Sequence, residues 1–148
     1  DKIREVFENP SITTDIMVGF PGETEEDFEA SMAFAQEIGL AKAHVFAYSR
    51  REGTAAARRP GQIQNSVKEE RSRRMIEATN ATRDAFLHSQ VGKVEEVLLE
   101  TTRDHLGYEG FTKNYTPVSV DCDSALCGTI IKVKITAVLG DRCVGVLI

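Results

Sequence analysis

Residues 12–18, Ile-Thr-Thr-Asp-Ile-Met-Val, form a β-branched, apolar run that halts at Gly19-Phe20-Pro21-Gly22. A run of this kind entering a Gly/Pro turn reads as a buried strand. The next element must be a helix: Thr24 and Asp27 have capping-box spacing, and Glu23, Glu25 and Glu26 suit the positive end of a helix dipole. Phe28, Met32, Ala35 and Ile38 then recur at helical spacing until Gly39 stops them. A second β-type run, Ala43–Tyr48, completes strand–helix–strand, a unit that belongs to parallel sheets and barrels.

Ser49 to Gln64 has no period and is rich in Arg, Ala, Gly and Pro, so it reads as a loop. Ser66 and Glu69 are spaced to cap a long helix whose apolar stripe runs through Val67, Met75, Ala78, Thr82 and Phe86. Glu69/Arg73 and Glu70/Arg74 are four apart, where opposite charges support a helix. Beyond Gly92 the pattern changes to short β runs at Val94–Thr101, Thr116–Val120, Thr129–Ala137 and Arg142–Ile148, divided by Gly, Asp and Asn turns. The expected fold is therefore α/β plus all-β. It divides into residues 1–64, a connecting helix over 65–90 and a small all-β barrel or sandwich over 91–148, with the boundary near Gln90 to Gly92.

The chain has 148 residues and a formal net charge of −5, which argues against bulk attraction to polyanions. The distribution is uneven: residues 1–49 hold 3 basic and 10 acidic side chains, residues 50–74 hold 8 and 3. No window approaches the roughly 18 apolar residues of a membrane span, and the amino terminus lacks an apolar signal region, so the expected location is the cytoplasm. The opening at Asp1, close to a hydrophobic strand, suggests a piece of something larger. Cys122, Cys127 and Cys143 make an odd number with no secretory signal, which argues against a disulfide framework. Their spacing matches no zinc pair, and two of the three are expected to fill core positions. His44, His88 and His105 are scattered, with His44 expected in the core of its strand, and no Ser/His/Asp arrangement is visible.

Thr14–Phe28, with its Val-Gly-Phe-Pro-Gly-Glu-Thr centre, closely resembles a strand–loop–helix passage of radical S-adenosylmethionine enzymes, above all the methylthiotransferases. His44–Ala56 resembles that family's Tyr-Ser-x-Arg-Pro-Gly-Thr segment, with Glu52 where proline is usual. Gly110–Val118 followed by Gly128–Ile135 resembles the TRAM domain that ends these enzymes. The resemblance implies the end of a radical S-adenosylmethionine partial barrel, a connecting helix and a small OB-like TRAM barrel. It implies methylthiolation of a modified adenosine beside the tRNA anticodon. Arg51 matches the tRNA-modifying branches, and His44–Phe46 and Thr112–Tyr115 lean towards the branch acting on N6-threonylcarbamoyladenosine.

On that resemblance Gly19, Phe20, Pro21, Gly22, Glu23, Tyr48 and Ser49 are candidate walls of the S-adenosylmethionine site. The alternative is a tight turn that needs glycine for its dihedrals alone. Arg50, Arg51, Tyr108, Lys113, Asn114, Tyr115, Lys132 and Lys134 are candidate RNA contacts, with Phe111 and Arg142 beside them. A solvated arginine pair and an ordinary half-exposed strand explain the same residues. The run Lys68–Arg74 reads as a solvated, internally paired helix face. The family's [4Fe-4S] clusters need clustered cysteines that are not in this sequence, so no catalytic or metal-binding residue is expected here, and the chain alone should be catalytically silent. The competing reading is a non-catalytic RNA-binding module, since only the enzyme requires three clustered cysteines upstream. A strand–helix–strand cut from a barrel exposes apolar edges, so the isolated chain is expected to self-associate or to adopt a rearranged, swapped packing.

Overall fold

The structure, a computed structural model, describes residues 2–102 and 107–148, so His105 lies outside the described residues. The chain separates into two compact units. One is Ile12–Arg83; the other is Asp84–Ile148 with the segment that ends at Ser11, which holds the short helix α1 (Lys2–Val6).

In the first unit, β1 (Thr13–Val18) and β2 (Lys42–Ala47) pair in parallel, Thr13 opposite Lys42 and Val18 opposite Ala47. Helix α2 (Glu25–Ile38) makes the crossover. Its capping box is as expected: Asp27 N–H donates to Thr24 Oγ1 at 3.1 Å, and Thr24 N–H donates to Asp27 Oδ2 at 3.0 Å. Gly39 ends it in the left-handed region, φ 65°, where a side chain would be strained. Phe28 and Ala35 of α2, Val18, Leu40 and Met75 are buried together, with Ile16, Met32, Ile38 and Val45 packed around them.

Only one face of this sheet carries that core. Met17 and Phe46, register partners on the opposite face, are 55% and 51% exposed. Asp15 and its partner His44 are exposed beside them. The expected buried strand and core histidine are thus corrected, because alternate strand residues point to opposite faces and α2 covers one.

The expected loop over 49–64 contains one helical turn, α3 (Ala55–Arg58), capped by Thr54, whose Oγ1 accepts from Ala57 N–H at 3.2 Å. Three consecutive alanines after a capping threonine favour it. Helix α4 (Asn65–His88) starts before Ser66, so the expected Ser66/Glu69 cap falls inside its first turn. Its buried stripe begins at Arg71 rather than Val67 and continues through Met75, Ala78 and Thr79. Neither the expected Glu69/Arg73 pair nor the expected Glu70/Arg74 pair closes into a direct contact, although Arg74 still attracts the Glu70 carboxylate from farther away. Arg73 meets Glu70 at 2.8 Å and Glu77 at 3.5 Å, and Arg74 meets Glu25 and Glu29 of α2.

The second unit is a closed five-stranded barrel in the order β3-β4-β5-β7-β6. Its strands are β3 (Val94–Thr102), β4 (Tyr108–Thr112), β5 (Pro117–Val120), β6 (Ile130–Leu139) and β7 (Arg142–Leu147). All pairs are antiparallel except β5 with β7. Strict alternation on β6 sends Ile131, Val133 and Ile135 inward and Ile130, Lys132 and Lys134 outward. The inward residues join Val97, Leu99, Val118, Val120, Cys143 and Leu87 of α4 in one core. Burying each such aliphatic side chain contributes about 1.5–3 kcal/mol. Strand β4 escaped the sequence reading because Gly110 interrupts its apolar alternation. That glycine is required: a Cβ there would lie 2.0 Å from the carbonyl oxygen of Leu98 on β3.

Cys143 is fully buried in the barrel core, and this burial pushes its thiol up to about 11. Cys122 is half-buried and raised by burial first and by Asp121 and Asp123 after it, whereas Cys127 is exposed. Alkylation of the native chain near pH 8 should therefore label Cys127 first and Cys143 only after unfolding. Peptide mass spectrometry reads the order, and equal rates at Cys127 and Cys143 would contradict the core placement.

Candidate functional site

Because β1 and β2 are parallel, their carboxyl ends lie side by side, where open α/β sheets bind ligands. Tyr48 N–H donates to Val18 O at 2.8 Å, carrying the ladder one residue past β2. This brings Gly19–Glu23 next to Tyr48. The Phe20 and Tyr48 rings meet edge to face with centroids 5.3 Å apart, and the Arg59 guanidinium lies 5.4 Å from the Phe20 centroid. Pro21 is buried and Gly22 exposed, its N–H donating to Gly61 O at 2.9 Å.

Two of these residues are already occupied. The Glu23 carboxylate accepts from Gly19 N–H at 2.7 Å and from Arg71 Nη1 at 2.6 Å. Gly19, at φ 73°, faces the Lys68 side chain, whose Cγ would lie 2.3 Å from a Cβ at that position. The glycine thus makes room for a lysine of α4 as well as satisfying its dihedral. Tyr48 is different: it is 8% exposed, and among the described residues its hydroxyl has no hydrogen-bond partner. A buried, unpaired phenol is the kind of group that a bound ligand satisfies. Ser49, Arg50 and Arg51 are exposed.

The sequence reading missed Arg71. It is 5% exposed, although it sits in a run expected to be solvated. Its guanidinium donates to the Glu23 carbonyl at 3.1 Å, to the Glu23 carboxylate and, through Nε and Nη2, to Glu25 Oε2 at 3.3 and 3.2 Å. The Arg74 guanidinium on the other Glu25 oxygen, with Arg71 behind it, holds the Glu25 carboxyl below the ordinary glutamate range. The stability from that pairing is complete above the ordinary range and is lost as pH falls through the lowered value. The available signal was the helical spacing of Arg71 with Met75 and Ala78.

In the barrel, strand register assembles a second cluster. Leu98 of β3 stands opposite Phe111 of β4 and Ile130 of β6, and Glu96 stands opposite Lys132, followed by Val94 opposite Lys134. All of these are exposed on the outer face. The Phe111 and Tyr115 rings are 5.6 Å apart, and Lys113 lies 3.8 Å from Glu96. Phe111, Lys113, Tyr115, Lys132 and Lys134 therefore share one side of the barrel.

Tyr108 does not join them. It alternates with Phe111 on β4 and packs against the core. Asn114 is bound into the β4–β5 turn: its Oδ1 accepts from Thr112 and Thr116 hydroxyls, and its Nδ2 donates to Asn9 O at 2.9 Å. Arg142 is taken by Glu109 and Asp141. The network behind the turn was not foreseen. The Asn9 side chain exchanges hydrogen bonds with the buried Gln90, and Lys93 Nζ donates to Asn9 Oδ1 at 2.8 Å.

Among the described residues no group of three or more His, Cys, Asp or Glu is placed to hold a metal ion. Cys122, Cys127 and Cys143 are thus not gathered in one such group.

No protein-family model matches this chain. It is 38% identical over 140 residues to the tRNA-2-methylthio-N(6)-dimethylallyladenosine synthase of Acetivibrio thermocellus, covering 93% of this chain and 29% of that protein. The proteins of the same name from Oceanobacillus iheyensis and a Thermoanaerobacter species are 39% and 40% identical over 137 and 138 residues, with 26% and 29% of their lengths covered. The chain thus spans less than a third of the length of these relatives. Among solved structures, the apo form of Mycoplasma genitalium RNase R overlaps 59% of this chain and 20% of its own at a TM-score of 0.37 and 10% identity, a likeness too slight to indicate a shared fold.

Replacing Arg71 with Met should destabilise the chain by about 3 kcal/mol or more, because Glu23 is left as a nearly buried, unpaired charge. Adding Glu23→Gln should recover part of the loss. Urea denaturation of the single and double variants measures both, and a loss under about 1 kcal/mol would mean that Arg71 is not the clamp.

Proposed function

We propose that this chain is a carboxy-terminal part of a radical S-adenosylmethionine enzyme that adds a methylthio group to an N6-modified adenosine next to the tRNA anticodon. Residues 1–64 are the end of the catalytic barrel, residues 65–90 the connecting helix and residues 91–148 a TRAM domain that holds tRNA. The single observation that carries the RNA-binding part is the outer barrel face, where an aromatic pair adjoins Lys113, Lys132 and Lys134. Stacking platforms beside cations are how small barrels grip single strands. Similarity to methylthio-adenosine synthases over about nine-tenths of the chain supports the enzyme.

S-adenosylmethionine supplies the methyl group and, from a second molecule, the radical that abstracts hydrogen. The iron–sulfur clusters belong to cysteines outside this sequence. The residues here contribute a wall: the Gly19–Glu23 turn and Tyr48, with its unpaired hydroxyl, have the donor chemistry to hold a polar cofactor. On this reading the chain by itself has no activity.

For the nucleoside, His44–Phe46 and Thr112–Tyr115 support N6-threonylcarbamoyladenosine, whereas the relatives' names carry N6-dimethylallyladenosine. The first is our reading. In cells lacking the intact protein, tRNA nucleoside mass spectrometry should show loss of the methylthio form of threonylcarbamoyladenosine; loss of the dimethylallyl form would reassign the substrate.

For the barrel, tRNA affinity of the intact protein should fall with salt, and Lys113→Ala, Lys132→Ala and Lys134→Ala together should reduce the salt slope by about 3. An unchanged slope would remove this face as the RNA anchor, and deletion from Gly92 should abolish tRNA binding while leaving iron content intact. A non-catalytic RNA-binding module would instead carry no iron. Met17 and Phe46 on the uncovered sheet face also support self-association of the isolated chain, which analytical ultracentrifugation checks; a monodisperse monomer counts against it.

A further inference from the structure

Lys68 of α4 stands at the carboxyl ends of β1 and β2. Its stem lies against the backbone of Gly19, the first residue past β1: Cγ and Cδ would be 2.3 and 2.9 Å from a Cβ there. Its ammonium donates to the carbonyl of Tyr48, the first residue past β2, at 3.0 Å and lies 5.9 Å from the Tyr48 ring centroid. A helix lysine has thus been drawn across the ends of both strands, although as a surface residue it would point to water.

Among the described residues no carboxylate answers it. Glu23 is engaged by Gly19 and Arg71, and Glu25 and Glu29 by Arg71 and Arg74. An ammonium has three donors and no acceptor, and a single neutral carbonyl uses one of them. A cation with spare donors, fixed on the Tyr48 carbonyl and near the ring of the same residue, whose buried hydroxyl is itself unpaired, is an unfinished anion site. A charge held half-buried binds an anion more strongly than the exposed Arg50 and Arg51 do.

We infer that Lys68 positions S-adenosylmethionine by binding the α-carboxylate of its amino-acid portion, an inference that rests on the function proposed above. Tyr48 holds Lys68 in place through its carbonyl, and Gly19 admits the lysine by lacking a Cβ. Lys68 transfers no proton and forms no bond with the cofactor; it fixes one end.

The test uses the intact holoprotein and two stable ligands, S-adenosylhomocysteine and its decarboxylated analogue 5′-(3-aminopropylthio)-5′-deoxyadenosine, measured by calorimetry. Lys68→Met, which keeps the stem against Gly19, should weaken the carboxylate-bearing ligand roughly 10- to 100-fold and leave the analogue within about twofold. Lys68→Arg should recover most of the loss, and Lys68→Gln provides the same comparison should the Met variant fold poorly. Equal weakening of both ligands, or of neither, would overturn the inference while leaving the enzyme reading standing. So would loss of tRNA affinity with cofactor binding unchanged, which would make Lys68 a phosphate contact. A wild-type protein that binds neither ligand would overturn the enzyme reading and this inference together.

Discussion

The Arg71 guanidinium is the interaction on which the first unit depends. It ties the helix after the loop to both the carbonyl and the carboxylate of Glu23, and to Glu25 at the start of α2. Glu23 in turn holds Gly19 N–H, so one cation fixes the turn between β1 and α2 from end to end. A two-stranded sheet with one bare face has little core to hold its loops. Directed charge-assisted hydrogen bonds supply the rigidity that packing does not. Phe28 underlies the arrangement, with the Arg71 and Arg74 guanidinium carbons 5.5 and 4.8 Å from its ring centroid.

The barrel is held differently. Closure pairs each strand on both sides, and strict alternation commits every second residue over the first half of β6 to the core. The outward set is then free for recognition chemistry. The same register that buries Val97 and Val133 places Leu98, Phe111 and Ile130 in one apolar row, with lysines in the rows beside it. The outward placement of these lysines is a by-product of core packing: a one-residue slip of β6 would bury Lys132 and Lys134 and expose Val133.

How much of this could be read from residues alone depended on whether the signal was local. The Thr24/Asp27 box, the Gly39 stop and the β6 alternation are set by neighbours within four positions, and all were legible. Arg71 was not, because a run of seven residues with four basic side chains reads as a solvated face until α2 and the turn before it supply acidic partners 46 and 48 positions away. His44 was misplaced because burial of a strand depends on what covers each face, which the strand's own sequence does not state. Strand β4 was hidden by Gly110, whose reason lies on β3. Among the candidate site residues, those read from strand alternation share one outer face of the barrel, and those read from the turn after a strand lie together at the ends of β1 and β2. Tyr108, Asn114 and Arg142 were assigned by residue type and turned out to have structural partners.

Asn9 has a further consequence, for the order in which the chain acquires structure. Its partners Gln90 and Asn114 lie 81 and 105 positions later. A segment synthesised so far ahead of its partners must wait for them before its hydrogen bonds exist, while β1, α2 and β2 close over short separations. Contacts of such span form late and slowly, after the entropy of a long loop has been lost. The Asn9 segment is thus the last piece of the barrel unit to settle, a clasp fastened on a barrel already closed.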